Sequence, residues 1–253
     1  MRIAVCVKHA VDETELRLDP SGKPTLDGAA SKMSTFDKNA VEEAVRVKAA
    51  HQGEVVAFSV GSPEAKKSLK EALAMGADRG VLIAAPLSGG DTLSTAEALA
   101  AGLRKEGPFD LIICSEGSSD IYSGQVPPMV AELTGLSYIG YAKSLAISEG
   151  KVVAERSLEE SVEKVEAPLP AVVSVVSEIN EPRYPTLIQI MQSSKKPMSE
   201  LSRTELSLDD SRKGVAIISM TSQQSNRKHV IIEGTPAEAA AKLVAALKTE
   251  GVL

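Results

Sequence analysis

The sequence predicts an α/β chain built on a doubly wound, mainly parallel sheet, with inserted hairpins and a C-terminal arm. Two observations carry this reading. Short β-branched apolar runs alternate with amphipathic helical patterns through the first half of the chain, and those runs are nearly continuous in apolar residues, as strands covered on both faces require. Apolar residues make up 43% of the 253, enough for such a core.

Residues 2–7 form the first strand-like run. A hairpin over 16–26 follows, its arms separated by Asp19-Pro20-Ser21-Gly22. Residues 37–52 carry Ala40, Val41, Ala44 and Val45 at helical spacing, and 55–60 form a second strand. Ser62-Pro63 opens a helix that runs to Met75 and stops at Gly76. Strands at 80–84 and 111–114 bracket a helix at 93–105, and a helix at 125–133 ends before Gly135. The pattern then turns strand-rich: 142–147 and 151–156 flank Ser148-Glu149-Gly150 as a hairpin, and 171–176 return to a buried strand. Residues 195–213 are polar without a period and read as an extended arm. Strands are expected at 215–220 and 230–232. Thr235-Pro236-Ala237-Glu238 is a capping box opening a helix with Ala239, Ala240, Leu243, Val244 and Leu247 on one face. The expected organisation is a domain over 1–194 and a C-terminal arm, strands and helix over 195–253.

Lys and Arg total 28 against 34 Asp and Glu, a net charge of −6, which disfavours a nucleic-acid partner. Aromatics are 3% with no Trp, so stacking platforms are not expected. No apolar run approaches the roughly 18 residues of a membrane span, so a cytoplasmic protein without membrane insertion is expected. Cys6 and Cys114 sit inside apolar runs and the three histidines are isolated, so no metal site is expected. No nucleophile elbow occurs, and the expectation is no catalytic residue and no enzyme.

Ligands of open parallel sheets bind beyond the carboxyl ends of the strands, which singles out the loops after Val7, Val60, Ala84 and Cys114. None holds a G-x-G-x-x-G or Walker motif. The loop Ser115-Glu-Gly117-Ser118-Ser119-Asp120-Ile-Tyr-Ser123-Gly124-Gln125 is rich in hydroxyls and glycine and feeds a helix. It is either a phosphate cradle or an ordinary strand-to-helix connection. The segment 177–194 holds Asn180-Glu181-Pro182-Arg183-Tyr184-Pro185, after which Thr186 caps a short helix presenting Leu187, Ile190 and Met191, with Lys195 and Lys196 beyond. It is either a connection with its apolar face packed inward or a protruding anchor for a partner protein, with the lysines steering the approach.

On these residues the chain resembles the beta subunit of electron-transfer flavoproteins. The resemblance rests on I-A-V-C-V-K at 3–8, F-D-K-N-A-V-E-E-A-V-R-V-K at 36–48, A-L-A-M-G-A-D-R-G at 72–80, L-P-A-V-V-S at 169–174 and N-E-P-R-Y-P-T-L at 180–187. It implies an adenine nucleotide alpha hydrolase-like fold and a heterodimer with an alpha subunit that holds most of a redox-active FAD, the arm over 195–253 packing partly on that subunit. AMP or a second FAD would lie in a beta pocket. The family's pocket positions fall on Cys6, Ser34, Thr35, Phe36, Asp37, Val60, Ser115, Gly117, Ser118, Ser119, Asp120, Ser123, Gly124, Gln125 and Val126. Ser34-Thr35 stands where the family has Asn-Pro, Gly117 where it has Gln and Tyr122 where it has Asp. AMP, FAD and a nearly vacant pocket therefore stay open. The implied function is electron transfer from flavin dehydrogenases of the acyl-CoA dehydrogenase type, as in fatty acid oxidation, to a quinone oxidoreductase or other acceptor, or electron bifurcation between two acceptors, with ferredoxin and NADH among the partners. The alternative is a stand-alone nucleotide-binding regulator or hydrolase on the same fold.

Overall fold

The computed structural model describes residues 1–25, 28–85, 91–208, 215, 218–219 and 228–253. They fall into two compact units, Met1–Met220 and Thr221–Leu253.

In the first unit, β1 (Arg2–Cys6) lies near the middle of a nine-stranded sheet. Small antiparallel pairs follow it: β2 (His9–Val11) with β5 (Ser31–Met33), and β3 (Arg17–Leu18) with β4 (Pro24–Thr25). From β1 the chain winds outward through β6 (Glu54–Gly61) and β7 (Arg79–Ala84). It then crosses back to β8 (Leu111–Ser115) on the other side of β1. Beyond β8 lie β12 (Ala171–Val175), β9 (Ser137–Ser148), β10 (Lys151–Ser157) and β11 (Val162–Pro168). All pairings from β9 across to β7 are parallel, and β10 alone runs against the others, pairing antiparallel with β9 and β11. The doubly wound, mainly parallel sheet is thus as the apolar runs predict, and its winding reverses between β1 and β8.

Side chains alternate along β1 between two cores, which is why its run is apolar throughout. Ile3 and Val5 pack under α1 (Thr35–His51) and α2 (Lys66–Met75). Ala4 and Cys6 pack, with Val56 and Phe58, under α3 (Thr92–Glu106) and α4 (Val126–Thr134). The helices begin and end within two residues of the expected positions, except that Pro63–Ala65 form a 3₁₀ turn ahead of α2.

Three expectations need correction. Residues 198–202 are not part of an extended arm: as β13 (Met198–Ser202) they pair in parallel with β7 and complete the sheet edge. Residues 230–232 are not a strand but exposed, irregular chain. Of 215–220, residues 215, 218 and 219 are not in a strand and the others lie outside the described residues. In the second unit, α6 (Pro236–Thr249) carries the expected capping box, Thr235 Oγ1 accepting from the Glu238 N–H. None of its residues is buried. Among the described residues no helix is long and apolar enough to cross a membrane.

Candidate functional site

The carboxyl ends of β1 and β8 are neighbours at the winding reversal, where an open sheet leaves a crevice. Cys6 ends β1, Ser115 ends β8, and Val60 lies near the end of β6 beside them. The start of α1 joins the same edge through Ser34, whose N–H donates to Lys8 O at 3.0 Å and whose Oγ accepts from Ser119 N at 3.2 Å. The expected pocket positions from four separated stretches thus meet at one edge. Lys8 sits with them, although the sequence reading did not select it. Its Nζ lies 2.7 Å from Asp120 Oδ1 and 3.3 Å from Ser118 Oγ. Burial pushes the Asp120 carboxyl up, but the bonds from Lys8 and Ser118 outweigh it and hold it below the usual range.

Donors in the crevice come from the loop more than from the helix. Pro127 and Pro128 occupy the first turn of α4 and offer no N–H, so the helix start provides less than its geometry suggests. The remaining donors are backbone N–H groups of Ser123, Gly124, Gln125 and Val126, with the serine hydroxyls. Ser119 Oγ is buried without a hydrogen-bond partner among the described residues, an orphaned donor of the kind a ligand oxygen would satisfy. Gly124 has φ +65°, and a Cβ there would stand in ordinary contact with Glu116 O at 3.6 Å and Tyr141 Oη at 3.9 Å, so a side chain would be strained by the backbone rather than by a clash. Tyr122 turns the loop at φ 51°, its ring edge-on to Phe36 at 5.3 Å. That ring lies 2.8 Å from where a Cβ on Gly117 would stand, so a side chain at 117 would collide with Tyr122.

Asp37 is buried beneath this loop. It accepts from Lys8 N at 2.6 Å, and its Oδ1 lies 2.5 Å from Ser115 Oγ, which also lies 2.8 Å from Gly117 O. One hydroxyl proton cannot serve two acceptors. Burial pushes the Asp37 carboxyl up to about 7, against the opposing bonds from Ser115 and Lys8. A protonated Asp37 donates to Ser115, which is then free to donate to Gly117 O. The folded pKa lies above the unfolded value of 3.8, so this group's stabilising effect is present below pH 4 and is lost as pH rises to about 7. Asp37→Asn imitates the protonated form through its amide donor. Its melting temperature should exceed wild type at pH 8 and converge with it near pH 4, whereas parallel pH profiles would refute a proton on Asp37.

Residues 180–183 of the segment 177–194 rest on α1. Leu187 begins α5 (Leu187–Ser193), which the Thr186–Gln189 capping box opens. The segment shows its apolar side chains to solvent: Tyr184 is 92% exposed, Leu187 79% and Met191 73%. Ile190 and the unselected Ile188 are exposed as well. An inward-packed Leu187 is therefore ruled out. Asn180 and Arg183 instead turn onto α1, Arg183 making a two-pronged bond to Glu42. Lys195 is exposed, but Lys196 Nζ is held by Leu73 O and Ala77 O at 2.8 and 2.6 Å. Pro182 and Pro185 are partly buried, while Glu181 is exposed. Asn39, Glu42 and Glu43 escaped the sequence reading, although their spacing on one helix marks a polar stripe beside the apolar one.

The fold defines a doubly wound α/β protein whose candidate site lies at its winding reversal. The family model described as "Electron transfer flavoprotein domain" matches residues 26–206. The chain is 37% identical over 254 aligned residues to the electron transfer flavoprotein subunit beta of Bacillus subtilis, covering 99% of this chain and 98% of that one. It is 32% identical to the subunit of the same name from Thermoanaerobacterium thermosaccharolyticum, over the whole of both chains. It is also 33% identical, over 82% of this chain and 80% of the other, to the caffeyl-CoA reductase-Etf complex subunit CarD of Acetobacterium woodii. The chain belongs to the electron transfer flavoprotein family, among its beta subunits.

Proposed function

We propose that the chain is one half of a heterodimeric electron-transfer flavoprotein, binding an adenine nucleotide in the crevice and presenting residues 184–191 to flavin dehydrogenases. The observation that carries this reading is where the fold leaves apolar surface outside. Tyr184, Leu187, Ile188 and Met191 are exposed in the first unit, and Val230, Ile231, Leu243 and Val244 in the second. Surface left uncovered in this way marks protein contacts. The docking segment is assigned to the dehydrogenase and residues 228–253 to an alpha subunit that holds most of the FAD. The relative named as a subunit of a caffeyl-CoA reductase-Etf complex supports a partner flavoenzyme that acts on acyl-CoA thioesters. A quinone oxidoreductase is the proposed acceptor; if electrons are divided, NADH is the proposed donor and ferredoxin one of the two acceptors.

A flavin, when bound, supplies the electron exchange. The residues of this chain bind and orient. The phosphate of AMP, or of the AMP half of a second FAD, takes the backbone N–H groups at 123–126 and the Ser119 hydroxyl, while the Ser118 hydroxyl is committed to Asp120. Lys8 is already neutralised by Asp120, so recognition rests on these neutral donors more than on net charge.

Expressed alone, the chain should be cut by protease within residues 228–253, and co-expression with the alpha subunit should slow that cleavage at least tenfold. Equal cleavage rates with and without the alpha subunit would refute the assigned interface.

A further inference from the structure

We infer that Asn39, Glu42 and Glu43 on α1, with Lys196 beyond α5, are positioning residues that hold the docking segment in the shape a dehydrogenase recognises. The inference rests on the docking role proposed for residues 184–191 and deepens it. The observation behind it is an inversion of the usual burial pattern: along this segment the polar groups face inward and the apolar ones outward.

At its entry, Asn39 Nδ2 donates to Ser177 O and Asn180 O at 2.9 and 2.8 Å. Asn180 Nδ2 answers with bonds to Asn39 O and Glu43 Oε2, both at 3.0 Å. In the middle, the Glu42 carboxylate, with a side chain only 4% exposed, accepts Arg183 Nε at 2.6 Å, Arg183 Nη2 at 2.9 Å and the Arg183 backbone N–H at 3.2 Å. Arg46 Nε adds a fourth donor to the same carboxylate at 2.9 Å. Main chain and side chain of Arg183 are therefore pinned together. At its exit, Lys196 Nζ is seated on the carbonyls at the C-terminal end of α2.

Between these fixed points Pro182 and Pro185 restrict the backbone and Thr186 starts the helix, so Tyr184, Leu187 and Met191 are displayed without contributing to the clamp. Burying charges is an inefficient route to stability, since apolar replacements often serve as well. Here it leaves every large apolar side chain of the segment free for a partner. A segment ordered before encounter loses less entropy on binding.

The test measures steady-state electron transfer from an acyl-CoA dehydrogenase with the intact alpha–beta complex as the varied substrate. Glu42→Gln should raise KM on the order of tenfold with kcat and flavin content near wild type, and should lower the melting temperature because it breaks a buried ion pair. Because it acts through presentation of Leu187, the same substitution in a Leu187→Ala background should change KM less than twofold. If Leu187→Ala raises KM and Glu42→Gln does not, the positioning role is overturned and the docking role stands. If Leu187→Ala leaves KM unchanged, both fall. A Glu42→Gln complex that loses kcat and flavin at constant KM shows a purely structural residue and also overturns the inference. Should that variant fail to assemble, Lys196→Met at the partly exposed exit carries the same readout, with a KM increase expected and an unchanged KM overturning the clamp.

Discussion

Truncating Leu187 to Ala weakens binding of the complex to its dehydrogenase by about 1–3 kcal/mol, a five- to 150-fold loss, while leaving the fold intact. The side chain is 79% exposed on α5 and contributes nothing to either core, so its removal opens no cavity and leaves no buried group unpaired. Its worth arises only when a partner pocket removes it from water. Flavin content and melting temperature should therefore match wild type while the dissociation constant rises. A lowered melting temperature with unchanged electron transfer per folded molecule would contradict the docking role. Salt should weaken association only mildly, because Lys196 is occupied by carbonyls and of the lysine pair only Lys195 is left to steer a partner.

Gly124→Val removes the nucleotide. At φ +65° a β-branched side chain is strained, and its methyl groups crowd the loop donors beside Glu116 O and the Tyr141 hydroxyl. Wild-type complex gains about 2.7 kcal/mol of stability from AMP at 100 times its dissociation constant. The variant should gain none and retain less than a tenth of the extractable nucleotide. Strain alone is controlled by Gly135→Val: that glycine ends α4 at φ +71° with nothing within 4 Å of its Cβ position, and its replacement should keep the nucleotide. Equal nucleotide content in wild type and Gly124→Val would remove the loop from the binding site.

Hydrophobic pattern reported burial faithfully and pairing poorly. Strands inside the sheet were legible because both faces are covered, as in Ile3, Ala4 and Val5. The edge strands were not. Met198-Ser-Glu-Leu-Ser pairs on one side only and reads as polar chain, and β11 is largely exposed. Residues 230–232 show the converse, apolar and β-branched yet unpaired. Burial of both faces is what writes a strand into a sequence; an edge needs only backbone donors, which every residue has.

The crevice was legible for a different reason. Strand order fixes where an open sheet binds ligands, so the loop after β8 followed from chain topology and its hydroxyl content. The donors were less legible, since Pro127 and Pro128 were read as part of a helix start without counting the N–H groups they remove. The clamp beneath the docking segment was invisible. Glu42 and Arg183 are 141 positions apart, and no local pattern links a helix carboxylate to an arginine so distant. Lys196 beside Lys195 likewise reads as a charged pair until the C-terminal end of α2 is placed under one of them.

The central claim, that this chain works as the nucleotide-holding half of a flavoprotein heterodimer, is tested most directly by acid extraction of the complex purified after co-expression with its alpha subunit. The account predicts a yellow one-to-one complex yielding one FAD and one AMP for a simple carrier, or two FAD for a bifurcating one, with the second nucleotide lost in the Gly124→Val variant. A chain that purifies alone, or a complex that yields a single FAD with no further adenine nucleotide, would contradict it.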